Sequence, residues 1–152
     1  MNAVEIEEAV SQLAMERFDA EEFPFAFLKA FGNKATTIKR LKSTKNSSNS
    51  SDVNGGVLQR NNIHMAICVD GDVNATLTQL KQSTATKKGK VKIILATDGV
   101  DFVAEDLISG ETVACAYTDF ANHFGFFLLL AGITTTKEIR NNAVDIQATG
   151  RL

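Results

Sequence analysis

The stretch Gly55-Gly56-Val57-Leu58-Gln59-Arg60-Asn61-Asn62-Ile63-His64-Met65-Ala66-Ile67-Cys68 decides how the chain folds. Ile63, Met65, Ile67 and then Val69 alternate with His64, Ala66 and Cys68, the two-residue period of a half-buried β-strand. Val57 to Gln59 reads as a shorter strand, and Arg60-Asn61-Asn62 as the turn joining the two. One face of the longer strand is plainly apolar. The other carries only small or neutral groups, and its purpose is the question on which function turns.

Reading downstream, Asp70-Gly71-Asp72 offers a turn and an N-cap for a helix over Val73 to Gln82. A linker, Ser83 to Lys90, leads to an apolar strand, Val91 to Ala96. Asp98-Gly99 is a strong hairpin signal, followed by a strand at Asp101 to Glu105. Ser109-Gly110 then turns into Thr112 to Ala116. A helical turn around Asp119 to His123, a Phe/Leu segment and a helix over Thr135 to Asn142 complete this half.

Upstream, Glu5 to Phe18 is an amphipathic helix with Val10, Leu13, Ala14 and Phe18 at spacings of three and four. Pro24 fits the first turn of a second helix, Glu22 to Phe31, which Gly32 ends. A third helix, Ala35 to Leu41, turns Ile38 and Leu41 inward and Lys39, Arg40 and Lys42 outward. Ser43 to Asn54 is a polar, Ser/Asn-rich loop with nothing to bury, and is expected to be mobile. The order predicts an α/β (α+β) fold, a mixed sheet flanked by helices and preceded by N-terminal helices. One domain, 1–152, is expected: helices over 1–42, the loop 43–54, a mixed-sheet core 55–133 and a C-terminal helix 134–152 leading into a further downstream region.

At 152 residues the chain is long enough for a real core, and its 44% hydrophobic and 22% charged residues are ordinary for a globular protein. Eight of the ten Phe gather at Phe23 to Phe31 and at Phe120 to Phe127, which predicts two core nuclei. Cys68 and Cys115 lie in apolar runs and read as reduced core residues rather than a disulfide. The longest apolar run, Phe124 to Ile133, is broken by glycines and too short to span a membrane. No basic-then-apolar leader opens the chain, so a cytoplasmic location is expected.

Net charge is only −2, but it is segregated. Residues 1–22 hold seven acids and one base, whereas 23–51 hold six bases and no acid. A second basic block follows at Lys81, Lys87, Lys88, Lys90 and Lys92, and residues 93–136 then carry six acids and no base. Such blocks predict either a basic face or ordinary solvated surface.

Several chemistries are excluded. Gly55-Gly56 and Gly71 lack the further glycines and the Lys-Ser or Lys-Thr of a phosphate loop. Pro24 is the sole proline, so the Asn-Pro-Pro-aromatic loop of an amino-methyltransferase is absent. His64 and Cys68 sit four apart on one strand, roughly 13 Å, far beyond the ~2 Å reach of zinc coordination. The same distance excludes Cys68 as a nucleophile activated by His64, and His123 with Cys115 gives no metal spacing.

VKIILATDGVDFVAEDLISGETVACAYTDFANHFGF, residues 91–126, and the opening AVEIEEAVSQLAMERFDAEEFPFAFLKAFG resemble the N-terminal region of MmeI-like (type IIL-related) fused restriction–modification proteins. The resemblance covers nearly the whole chain. It implies a restriction-endonuclease-like fold lying ahead of a helical spacer, an adenine-specific DNA methyltransferase domain and a target-recognition domain. The family nuclease pattern is Asp, nine residues, Glu, one residue, Lys, with carboxylates holding Mg²⁺ and the lysine serving the attacking water. Matched strand to strand, those positions fall on Gly56, Ala66 and Cys68: the spacing survives and every chemical group is missing. Asp52, Asp70 and Asp72, or Glu5, Glu8 and Glu16, supply no paired replacement on the strand.

The resemblance therefore implies a non-catalytic, degenerate nuclease-like domain. S-adenosylmethionine belongs to the parent protein, and Mg²⁺ belongs here only if nuclease activity remains. Double-stranded DNA and the downstream methyltransferase domain are the implied partners, with no membrane. Lys39, Arg40, Lys42, Lys45, Lys87, Lys88 and Lys90 are the candidate phosphate contacts. Two rivals stand beside this reading: an active Mg²⁺-dependent endonuclease with displaced acids, and an interaction module that dimerises through its Phe-rich segment.

Overall fold

The computed structural model describes residues 3–43, 49–53, 56–68 and 72–131. Three helices come first: α1 (Ala3–Met15), α2 (Phe23–Ala30) and α3 (Ala35–Lys42). A hairpin of β1 (Gly56–Gln59) and β2 (Ile63–Ile67) follows, then α4 (Val73–Gln82) and α5 (Thr84–Lys88). The meander β3 (Ile93–Thr97), β4 (Asp101–Asp106) and β5 (Thr112–Ala116) leads into a 3₁₀ segment, Tyr117–Ala131, broken at His123. The expected elements are thus present, with two corrections: α1 ends at Met15, short of the expected Phe18, and the linker from Ser83 contains a short helix, α5, capped by the Ser83 hydroxyl accepting from Thr86 N–H. The expected helix at Thr135 to Asn142 lies outside the described residues, as do Lys45, Val69, Asp70 and Gly71.

The five strands form one mixed sheet in the order β1-β2-β3-β4-β5. All neighbours are antiparallel except β2 and β3, which the α4–α5 crossover makes parallel. Because β2 is interior and helices cover both faces, Ile63 to Ala66 are all buried. This corrects the half-buried reading: the alternation separates two cores, not core from solvent. Ile63 and Met65 face α1, α2 and the 3₁₀ segment, while His64, Ala66 and Cys68 face α4 and α5.

On the first face, Ile6, Val10 and Ala14 of α1 bury at four-residue spacing. The two Phe groups meet there in one aromatic cluster rather than two nuclei. Phe27 lies 5.2 Å from Phe127 and 6.1 Å from Phe120, between ring centroids, and Phe102 stacks on Phe120 at 4.9 Å. Phe120 and Phe127 have no exposed surface, so the heart of the Phe-rich segment is core and not a free dimerisation face. Cys68 is buried against α4, Cys115 is half-buried on the opposite face, and both are free thiols.

Turn chemistry fixes the register. Asn61 takes φ 68° in the β1–β2 turn, Gly99 φ 89° and Gly110 φ 81° in the two meander turns. Asp72 caps α4 by accepting from Ala75 N–H at 3.0 Å. No helix among the described residues is long and apolar enough to cross a membrane.

Candidate functional site

Gly56 stands opposite Ala66 across the hairpin, and Cys68 continues β2 two residues on toward the same α4-facing side. The three positions singled out in the sequence are therefore brought together at one end of the sheet. They are not open. Asn49 to Val53, expected to be mobile with nothing to bury, is instead tied onto this corner, with Val53 buried against the α4 core. Leu58 N–H donates to Asn49 Oδ1 at 2.9 Å, Asn49 Nδ2 to the Gly56 carbonyl at 3.1 Å, and Ser50 N–H to the Leu58 carbonyl at 3.4 Å. Outward-facing backbone groups of β1 are satisfied by this segment.

A buried imidazole anchors the same segment. Thr86 Oγ1 donates to the Leu80 carbonyl at 2.7 Å, so it accepts from His64 Nδ1–H at 2.8 Å. That leaves His64 Nε2 to accept from the Ser51 hydroxyl at 2.6 Å. His64 has no exposed surface, and burial lowers its pKa from the ordinary 6.5 to about 4, against a smaller upward pull from the Asp52 carboxylate. Asp52 bonds the Ser83 hydroxyl and receives Ala85 N–H at 3.4 Å, and the Ser83 bond holds its carboxyl below the usual range. Sequence reading missed these partners. The signal it passed over was Val53, an apolar residue at the end of an otherwise polar run.

A divalent cation does not fit the residues at Gly56, Ala66 and Cys68, which offer no side-chain oxygen. Asp52, the nearest acid in sequence to Gly56, is committed to α5. Among the described residues no group of three or more His, Cys, Asp or Glu could hold a metal ion.

The basic candidates fall into two groups. Lys39, Arg40 and Lys42 are exposed near the C-terminal end of α3, whose Leu41 and Lys42 line an open groove shared with Gly56 and Ile67. Lys42 is bonded to Glu22 at 2.8 Å and lies 5.0 Å over the Phe25 ring, so it is partnered. Lys87, Lys88 and Lys90 are exposed at the opposite end of the hairpin. There Asn61 N–H donates to the Gly89 carbonyl at 2.7 Å and Lys92 N–H to the Asn62 carbonyl at 2.9 Å. These bonds set Arg60, a residue the sequence reading left out, beside the Lys88–Lys90 turn. The α3 N-terminus reaches the same end, because Gln59 Nε2 donates to Asn33 Oδ1 at 2.8 Å. The described candidate residues thus make two clusters, toward opposite ends of the hairpin.

The protein-family model described as MmeI, N-terminal domain, matches residues 1–152. No curated protein and no solved structure matches the chain. With the family match running the full length of the sequence, the chain belongs to the MmeI N-terminal domain family and is an N-terminal domain of an MmeI-like restriction–modification protein.

Proposed function

We propose that this domain is a non-catalytic, nuclease-like module of an adenine-specific DNA methyltransferase, and that it holds the duplex through its backbone phosphates. The observation that carries the reading is the corner at Gly56, Ala66 and Cys68. The three positions keep the spacing of the nuclease pattern that the resemblance implies and meet at one corner, yet they bear no carboxylate or lysine and lie beside Asn49 to Val53. S-adenosylmethionine then belongs to the methyltransferase part of the parent protein, and the cytoplasm, where its DNA lies, is the compartment.

The phosphate contacts are assigned first to the end of the hairpin where Arg60, Lys87, Lys88 and Lys90 gather, with Lys39 and Arg40 of α3 as a second contact. Supercoiled plasmid held with the purified chain and Mg²⁺ stays uncut under this reading. A short duplex binds it at low salt, and raising salt fourfold weakens three phosphate contacts by roughly 40-fold. Charge reversal at Arg60, Lys88 and Lys90 together lowers affinity at least tenfold. Binding that is absent at about 50 mM salt, or unmoved by the triple reversal, sinks the phosphate assignment. Mg²⁺-dependent nicking that disappears when one of the chain's own acids is replaced sinks the non-catalytic one.

A further inference from the structure

The two edges of the sheet are treated differently. At β1 the outward backbone groups are taken by Asn49 and Ser50. At β5 they are not. Asp106 N–H donates to the Glu111 carbonyl at 2.9 Å, and Tyr117 N–H to the Val100 carbonyl at 2.8 Å. Both bonds lie on the β4–β5 register, in which Phe102 opposes Cys115 and Ala104 opposes Val113. In an antiparallel ladder hydrogen-bonded pairs alternate, so Glu111, Val113, Cys115 and Tyr117 point their N–H and C=O groups at β4. Thr112, Ala114 and Ala116 then point theirs outward, and among the described residues nothing bonds to them. All three are also exposed through their side chains.

Edge strands are ordinarily guarded by lysine, proline or a bulge. Thr112-Val113-Ala114-Cys115-Ala116 has none of these and carries no charge.

We propose that β5 is a self-association edge, on which a second copy of this chain adds its own β5 antiparallel about a two-fold axis at Ala114. The register follows from the outward groups. Ala114 pairs with Ala114 of the second copy, and Thr112 with Ala116 in both directions, which makes six main-chain hydrogen bonds. The sequence is self-complementary in this register. Small side chains meet small side chains, and beyond the strand Glu111 falls opposite Tyr117 and Asp119 opposite Ser109, so no like charges are forced together. Val100 and Ile108, 70% and 73% exposed, border the two ends of the β4–β5 ladder. The antiparallel arrangement sets the Val100 end of one copy against the Ile108 end of the other. A net charge of −2 adds little long-range repulsion.

Five residues of edge make a small interface, so association is expected at the weak end of specific contacts, in the range of tens to hundreds of micromolar. Sedimentation equilibrium on the 152-residue chain tests it. The expected mass rises from 16.5 kDa toward twice that value between about 10 and about 500 μM. Ala114→Pro removes an N–H that no intramolecular bond uses, and Ala114→Lys sets two lysines face to face at the axis. Both should remain monomeric over the whole range, with urea midpoints close to wild type showing that β4–β5 is intact. A wild-type chain that stays at monomer mass throughout overturns the proposal. So does a dimer that persists in both folded variants, because it then uses another surface.

Discussion

His64 makes acid stability a direct test of how the Asn49 to Val53 segment is held. Its ring is buried and neutral, with Nδ1 donating to Thr86 and Nε2 accepting from Ser51. Protonation would place a positive charge on a ring with no exposed surface, which burial disfavours. The folded-state pKa of about 4 lies below the ordinary 6.5, so the stability gained from a neutral ring is complete above about pH 6.5. It is lost as pH falls toward 4. Integrated between pH 7 and pH 4.5, the loss is about 2 kcal/mol, or a fall of roughly 4–8 °C in Tm for a chain of this size. The lowered carboxyl groups of Asp52, bonded to Ser83, and Asp98, receiving Asp101 N–H, contribute stability that is present above 3.8 and disappears only below it. The window from 6.5 to 4.5 is therefore governed by His64. Urea denaturation across that window, for wild type and His64→Gln, reads the effect. The variant should lose about 1–3 kcal/mol at pH 7 for its broken bonds, and its stability should then stay level as the wild-type curve descends to meet it. Parallel descent of the two curves, or a level wild-type curve, refutes the reasoning.

Two glycine substitutions test the packing in other places. A Cβ at residue 56 would land on Ser51 Oγ and 2.9 Å from the Val53 carbonyl, so Gly56→Ala should cost about 1–3 kcal/mol in urea. The cost should shrink in a Ser51→Gly background, and additive effects in that cycle would count against the contact. Gly99 and Gly110 share a left-handed backbone, at φ +89° and +81°, but a Cβ on Gly99 meets the Phe18 ring at 2.9 Å and below, whereas Gly110 has nothing within 4 Å. Thermal unfolding should therefore show Gly99→Ala as the more damaging by at least about 1 kcal/mol, with Gly110→Ala losing only the backbone cost of about 1–2 kcal/mol.

Much of the fold was legible because its signals are local. The period of two at Ile63 to Cys68, the period of three and four at Val10 to Phe18, and the turn residues Asp98-Gly99 and Ser109-Gly110 each specify an element without reference to the rest of the chain. What escaped was long-range. Two Phe groups about 90 residues apart look like two nuclei until the sheet order brings Phe27 against Phe120 and Phe127. Alternation in β2 says that two faces differ, but not that helices cover both. The candidate corner was legible only as a spacing, Gly56, Ala66 and Cys68, and the meeting of these positions followed from hairpin register. Its cover was not legible, because Ser51, Asp52 and Asn49 act through partners at His64, Ser83 and Leu58 that no sequence period connects. Arg60 was missed for a similar reason, since a single Arg in a turn becomes part of a cluster only when Asn61 bonds Gly89.

The cover also bears on what the corner could hold. A carboxylate at residue 56 needs the space that the Ser51 hydroxyl fills, and one at residue 66 would enter a position with no exposed surface beneath the Val53 and α4 core. An unpaired carboxylate there would face the full cost of burial, with no cation to offset it and with neutral His64 beside it on the strand. The Asn49 to Val53 segment cannot simply lift away, because it also satisfies the outer groups of β1. Releasing it would expose Leu58 and Gly56 backbone at the very edge the fold keeps closed. A charged group at residue 56 or 66 and the cover therefore compete for the same space, and either one makes the other costly. On the proposed reading, restoring three side chains would not restore a nuclease; the segment over them would have to find a new place first.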